Sequence, residues 1–407
     1  MIKDPRLLSA DDFDYSLPEN LIAIHPLTER DQSRLLVYEK GAIQDKKYVD
    51  LNRCLPAKSW LVFNQTKVVP ARILFEKSTG GLIEIFCLSP ESSLGDMSAV
   101  MQKTSRVQME CLVGGASKWK SGTLLERNVD GVTLKAAIVR KEPDHFLIEL
   151  QWTPAEQSFA SILLLFGQMP LPPYLKRKLV KEDQQRYQTV YAKKEGSVAA
   201  PTAGLHFTEG LLQKLHQQNI TIDYLTLHVG AGTFKPVKAA RMEDHAMHAE
   251  WIEIELEFLQ RWHQRIHQPL IAVGTTSLRT LESIYWIGLK ILLQQPSSIP
   301  TLSQWECYEL APQARSLEEV LINLIEWMLK KKERILHTQT SILIGPGYPF
   351  KTANGILTNF HQPRSTLLLL VAAFVGNDWT KIYQHATKEQ YRMLSYGDGS
   401  LLWRTND

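Results

Sequence analysis

The sequence predicts an α/β protein: a discontinuous α/β domain with an inserted antiparallel β-barrel domain. Three observations predict it. Short apolar runs at 270–273 and 356–360 each lead through a polar loop into an apolar helical stretch, an alternation that argues for a largely parallel sheet. From about Glu76 to Trp152 the text changes to short alternating runs, LIEIFCL, RVQMECLV, GTLLER, VTLKAAIVR and HFLIELQW, separated by Gly, Ser, Asp and Pro. Strands at that spacing form a small barrel or sandwich. Finally, 407 residues are too many for one typical domain. The expected division is 1–75 with 154–407 as the α/β domain and 76–153 as the insertion.

Taken in order, WLVFNQTKVVPARILF from residue 60 reads as a strand, a polar turn and a second strand broken at Pro70. A helix is expected over 155–166. It leads into GQMPLPPYLKRK, where three prolines forbid helix or central strand. Residues 211–218 read as helix and 224–229 as a buried strand, whereas 294–308, with two prolines and three serines, reads as a loop. Ser316 and Glu319 form a capping-box signature for a helix to about Lys332, apolar at Val320, Leu321, Leu324, Ile325 and Met328.

Composition excludes several classes. Hydrophobic residues make 44% and charged residues 22%, ordinary for a globular enzyme. The net charge of +3 admits an anionic partner without specifying one. Four scattered cysteines with no C-x-x-C pair suggest neither a disulfide framework nor a thiolate zinc site. The start, MIKDPRLLSADDFDY, lacks the apolar core of a signal peptide. The longest apolar run, 367–375, is far short of the roughly 20 residues of a membrane span. A cytoplasmic protein with no membrane association is expected.

Polar residues crowd the ends of the predicted strands. In VGTTSLRTLES, Gly274 lets the chain turn, and Thr275, Thr276 and Ser277 can cap a helix whose amides favour an anion such as a carboxylate. Arg279 and Glu282 share one face there; a plain cap with a surface ion pair explains them equally. In LHVGAGTFKPV a dinucleotide fingerprint fails, because glycine would be needed at Lys235 and Pro236 opposes a helix. Gly230 and Gly232 would instead let the backbone approach a ligand beside His228 and Thr233, or mark a hairpin or bulge. Thr202, Gly204 and His206 lie in AAPTAGLHFTEG, before a helix capped by Thr208; a loop histidine of this kind can move a proton. His245, His248 and Glu250 in EDHAMHAEW resemble half of a metal site, so a metal-dependent hydrolase is a rival reading, although no third ligand can be named. Asn359 and His361 in TNFHQPRSTLLLLV fall beyond a strand's carboxyl end, where α/β sheets bind ligands. Lys176, Arg177, Lys178, Lys181 and Arg186, with Tyr174 and Tyr187, suit RNA or form a solvated face.

Together these segments resemble the S-adenosylmethionine:tRNA ribosyltransferase-isomerase family of queuosine biosynthesis. The likeness runs in order from DFDYSLPENLIAIHPLTERDQSRLLVY through LVFNQTKVVPARI, TGGLIEI, GQMPLPPY, YQTVYAKKEGSVAAPTAGLHF and LHVGAGTFKPV. It continues through EDHAMHAEW, IAVGTTSLRTLES and TNFHQPRSTL to YRMLSYGD. The resemblance implies an α/β domain interrupted by a β-barrel. It also implies S-adenosylmethionine as ribosyl donor, no metal, and as acceptor 7-aminomethyl-7-deazaguanine at the wobble position of tRNAs with GUN anticodons, handled by a monomer. On the same footing His206 and His228 are the implied proton carriers, with His245, His248 and His361 behind them. Thr202, Gly204, Gly230, Gly232, Thr233 and Gly274 would shape the donor pocket, and Thr275, Thr276 and Arg279 would hold the methionine carboxylate. Arg72, Tyr174, Lys176, Arg177 and Asn359 would meet the RNA. The chain departs from the family pattern at Gly345, where tyrosine is common, at Arg364, where glutamate is usual, and over a longer 295–338. A different acceptor, or a silent tRNA-binding paralogue, are the alternatives these departures raise.

Overall fold

The protein is described from a computed structural model covering residues 4–77, 80–91, 97–120, 122–143, 145–230, 237 and 239–405. Its larger sheet has nine strands, in the spatial order Ile335–Thr340, Glu250–Glu255, Thr221–Leu227, Trp60–Asn64, Leu270–Val273, Gly355–Asn359, Gly399–Trp403, Arg34–Glu39 and Ala42–Lys47. The four strands from Thr221–Leu227 to Gly355–Asn359 run parallel to one another. Trp60–Asn64, Leu270–Val273 and Gly355–Asn359 are buried along their whole length, as strands covered on both faces must be. The apolar side of helix Thr275–Gln294 lies across them, and helix Leu317–Lys331 packs on its outer face, where Gly288 gives Val320 room. The Ser316 hydroxyl accepts from the Glu319 amide at 3.1 Å, the cap that the sequence predicts.

The expectation of a largely parallel sheet needs correction. Four of the eight strand pairings are antiparallel. Glu250–Glu255 lies antiparallel beside Thr221–Leu227, and among the described residues of the connection there is no α-helix of the kind that carries a chain to a parallel neighbour. The flanking strand Ile335–Thr340 alternates between buried and half-buried residues, the pattern of a strand with one face toward solvent.

The second sheet is entirely antiparallel. Its order is Gly167–Gln168, Arg72–Glu76, Leu82–Pro90, Arg106–Gly114, Phe146–Thr153, Val132–Lys141 and Leu125–Val129. Alternation puts Val107, Met109 and Cys111 inward with Ile83, Ile85, Leu134 and Leu150, and helix Phe159–Phe166 closes this core from below. The closed barrel expected from the sequence is instead a curled, open half-barrel. Among the described residues no backbone ladder joins its two edges. Arg127 on the last strand bridges the seam, donating to the carbonyls of Leu74 at 3.0 Å and Phe166 at 3.1 Å.

Arg127→Ala should therefore loosen the seam. Two carbonyls lose a charged donor, which costs about 1–2 kcal/mol for a half-buried group. Urea unfolding should show the loss, with faster amide exchange in strands Arg72–Glu76 and Leu125–Val129.

Candidate active site

Strand Leu270–Val273 ends at Gly274, whose φ of 94° turns the chain into helix Thr275–Gln294. The sequence suggests Thr275, Thr276 and Ser277 as caps. In the structure Gly274 is the cap residue and no side chain caps the helix, because Ser277 donates back to the Val273 carbonyl at 2.8 Å. The first-turn amides thus remain available to an anion. Thr275 and Thr276 line a cavity of about 750 Å³ with Thr202, Val229, Asn359, His361, Tyr174 and Ser395.

Asn359 gives this cavity a directional polar group. Its Nδ2 faces three acceptors, His206 Nε2 at 3.2 Å and the carbonyls of Leu394 at 3.3 Å and Asp398 at 3.5 Å. That placement fixes the amide, and its Oδ1 is buried without a partner. His206 stands behind it. Ser33 donates its hydroxyl proton to the Arg30 carbonyl at 2.6 Å and lies 2.8 Å from His206 Nδ1. Nδ1 therefore carries the ring proton and Nε2 accepts. Burial, with the charges of Arg392 and Arg30, pushes the His206 pKa down to about 3. The ring stacks on Tyr48 at 4.1 Å. The proton-carrier role expected of His206 does not suit a neutral ring with both nitrogens engaged; its geometry is that of a positioning residue for Asn359. His361 is similar, since burial pushes it to about 3 and Nε2 sits 2.8 Å from the Thr358 hydroxyl.

A second cavity, of about 780 Å³, adjoins the first at Val229. Its walls come from the half-barrel (Leu88, Ser89, Glu110, Leu112, His145) and from His228, Gly230, His248 and Glu250. His228 Nε2 lies 3.0 Å from Glu253 Oε1, and Glu253 also accepts from Ser98 and sits 3.5 Å from Lys194 Nζ. Burial alone would raise the Glu253 pKa, but the hydrogen bonds from His228 and Ser98 overrule it and hold it at about 2. An ionised Glu253 keeps the imidazole proton on Nε2 and leaves Nδ1 as a lone pair. That Nδ1 is buried and unpartnered. Gly196 makes room for it: φ is 127°, and a Cβ there would stand 2.9 Å from Nδ1.

Arg279 departs from expectation. It is buried and ion-paired with Glu250, not with Glu282, and Glu250 also accepts from the Gly230 amide at 3.2 Å. Arg279 Nη2 is buried without a partner, and Arg279 lines neither cavity, unlike the carboxylate-holding role expected of it. Glu282 is fully buried, accepting from Thr352, Tyr348 and the Lys351 amide.

The other predicted residues separate. Gly204 serves close packing, since a Cβ there would stand 1.8 Å from the Tyr191 hydroxyl. Gly232 and Thr233 lie outside the described residues. His245 is half-buried, with its carbonyl accepting from Gln304 at 2.7 Å; burial and the neighbouring His248 lower its pKa. Among the described residues no group of three or more His, Cys, Asp or Glu is arranged to hold a metal. Of the residues assigned to RNA, Tyr174 and Asn359 line the first cavity. Arg72 pairs with Glu84 at 3.5 Å, Lys176 with Glu19 at 2.7 Å, and Arg177 with the buried Asp183 at 2.7 Å. Arg364 lies at the surface, paired with Asp11 and Asp14, and Gly345 packs beside Pro5 and Leu8; neither lines a cavity. Glu253 escaped sequence reasoning, because EWIEIE reads as an ordinary strand with a charged face. Only the return of that strand beside Thr226 brings it to His228.

Two cavities that share Val229 near the carboxyl ends of parallel strands, with a carboxylate-held histidine and an open helix start, define an α/β enzyme site. The family described as queuosine biosynthesis protein matches residues 10–402, and the chain belongs to it. An S-adenosylmethionine:tRNA ribosyltransferase-isomerase of Xanthomonas oryzae is 37% identical over 399 residues, 96% of each chain. One of Halothermothrix orenii is 38% identical over 401 residues, covering 97% of this chain and all of the relative. A crystal structure of S-adenosylmethionine tRNA ribosyltransferase from Thermotoga maritima, 26% identical, aligns over 96% of this chain and 99% of that one with a TM-score of 0.45.

The histidine assignments carry a pH consequence. His206 titrates near 6.5 unfolded but near 3 folded, so the unfolded chain binds more protons between these values. Its stabilising contribution is complete above pH 6.5 and is lost as pH falls toward 3, at up to about 1.4 kcal/mol per pH unit. In urea titrations His206→Asn should lose less stability than the parent between pH 6.5 and 4.5, a window above the titration of Glu253.

Proposed function

We propose that this protein transfers and isomerises the ribosyl moiety of S-adenosylmethionine onto 7-aminomethyl-7-deazaguanine at the wobble position of tRNAs with GUN anticodons, releasing adenine and methionine. Full-length similarity to relatives of that name carries the reading. The two alternatives, another acceptor or a silent paralogue, lean on Gly345 and Arg364; Gly345 packs beside Pro5 and Leu8, and Arg364, next to the cavity-lining Ser365, is itself paired with Asp11 and Asp14. The enzyme works as a cytoplasmic monomer. Its half-barrel is the inserted domain, and that domain supplies one wall of the second cavity.

The donor lies across Val229. Its sulfonium faces the second cavity, beside His228 and the Glu110 carboxylate. Its carboxylate end faces the amides of Thr275 and Thr276. His228 Nδ1 is the base that removes the proton from the carbon beside the sulfonium, and Glu253 stabilises the resulting imidazolium. Expulsion of adenine opens the ribose, and the acceptor amine adds to the fragment. Closure of an epoxide then releases methionine, and the proton held on His228 returns to a leaving group. The acceptor base enters on the Tyr174, Asn359 and Ser395 side, where Asn359 Oδ1 accepts from a ring or exocyclic N–H.

Adenine and methionine release from S-adenosylmethionine and tRNA carrying the aminomethyl base tests the reaction directly. With His228→Ala, kcat should fall about 10²–10⁴-fold while S-adenosylmethionine binding persists. A variant with unchanged kcat removes His228 from the chemistry. Glu253→Gln should lower kcat by a smaller factor and shift the pH profile, since Glu253 acts through the ring.

A further inference from the structure

A third, smaller cleft of about 280 Å³ lies on the far side of Ser395, a residue it shares with the first cavity. Arg30 and Arg186 line it, with Ser33, Leu27 and Tyr396. Each arginine donates to two carbonyls across the cleft: Arg30 to Gln188 at 2.6 Å and Gln185 at 3.0 Å, and Arg186 to Thr28 at 3.1 Å and to Leu27. These bonds tie segment 27–30 to segment 185–188, but carbonyls do not neutralise charge. Among the described residues neither guanidinium has a carboxylate partner, in contrast to Arg177, whose charge Asp183 takes up bidentately. Arg392 adds a third guanidinium near His206, with a buried Nη1 that has no partner.

Half-buried like charges held together are unfavourable unless an anion joins them. Burial and the charge of Arg186 both lower the Arg30 pKa, a sign of that strain. A guanidinium has five N–H donors in a fork that matches phosphate oxygens, and two per arginine are taken here. We infer that this cleft binds a backbone phosphodiester of the RNA substrate, the one adjoining the nucleotide whose base enters the first cavity. The inference rests on the ribosyl-transfer reading for the identity of that RNA. The shared wall at Ser395 makes the two sites neighbours, so base and phosphate of one nucleotide are held together and the base is presented in register.

The test uses the full-length protein, the substrate tRNA, and four variants: Arg30→Gln, Arg186→Gln, Arg30→Lys and Arg186→Lys. Each glutamine variant should weaken tRNA binding about tenfold at moderate salt and reduce the slope of log K against log salt by about 0.7–0.9. S-adenosylmethionine affinity and Tm should stay near the parent values, and the lysine variants should recover the slope. Unchanged slopes in the glutamine variants overturn the inference. Lysine variants as impaired as glutamine ones also overturn it, because the arginines are then loop ties and nothing more. Should a glutamine variant unfold, the unmodified protein decides: bound tRNA should slow amide exchange over 25–33 and 183–188, and no change there overturns it. Inorganic phosphate raising the Tm of the parent only, with no tRNA effect, assigns the cleft to free phosphate and overturns it as well. A parent that binds tRNA with the expected slope yet releases no adenine refutes the reaction while leaving the phosphate site standing.

Discussion

Val229 is the residue through which the site holds together, and its backbone is clamped on both sides. Its amide donates to Ser197 Oγ at 2.9 Å, and its carbonyl accepts from the Val198 amide at 3.0 Å. Ser197 in turn donates to Thr66 Oγ1 at 2.9 Å. One step upstream, the buried Asn64 donates to the Leu227 carbonyl and accepts from the amides of Leu227 and Thr66. Asn64 ends the central strand, so its side chain substitutes for ladder bonds that stop there. A buried amide satisfied on both ends is rigid, since each lost bond would leave a desolvated group unpaired. The two cavities share Val229 as a wall, and these bonds fix that residue although it lies just past the end of strand Thr221–Leu227. A reaction joining two bound molecules needs such a fixed wall.

The three histidines divide by what stands behind them. His228 has an ionised carboxylate on one nitrogen and a cavity on the other. His206 and His361 have neutral partners and deep burial, which keeps them uncharged. Only the first arrangement stabilises a protonated ring at the moment of proton transfer. In the second, His206 holds a tautomer and passes its direction to Asn359, while His361 meets Thr358. Identical side chains thus sit in different electrostatic settings, according to the charge of the group behind each.

Much of the architecture was legible because it is local. Gly274 and the helix after it, Thr208 and Ser316 as caps, and the change of period near Glu76 each sit within a few residues of their cause. The site's polar loops were legible too, because Thr, Asn and His at strand ends have no packing reason to be there. The partners were not legible. His206 meets Ser33 across 173 residues, and Arg279 meets Glu250 rather than the nearer Glu282 because the sheet edge returns past the helix. The basic run around 176–186 was visible as composition, but its division was not. Asp183 neutralises Arg177, while Arg186 turns to carbonyls and keeps its charge.

That division bears on how a weakly basic protein can bind a polyanion. A net charge of +3 spread evenly would give little attraction, and some exposed cations, Lys176 and Arg364 among them, are paired with local carboxylates. Position therefore matters more than total charge: specific binding of RNA needs cations placed where a phosphate has to sit. Arg30 and Arg186 have that property at the border of the first cavity, and their carbonyl bonds hold the guanidinium planes before any ligand arrives. Preorganised charge loses little entropy on binding, so two such groups beside a base pocket discriminate an extruded nucleotide from RNA lying flat on the surface. In the phosphate site inferred above, the loop ties that look structural in isolation are what hold the guanidinium planes.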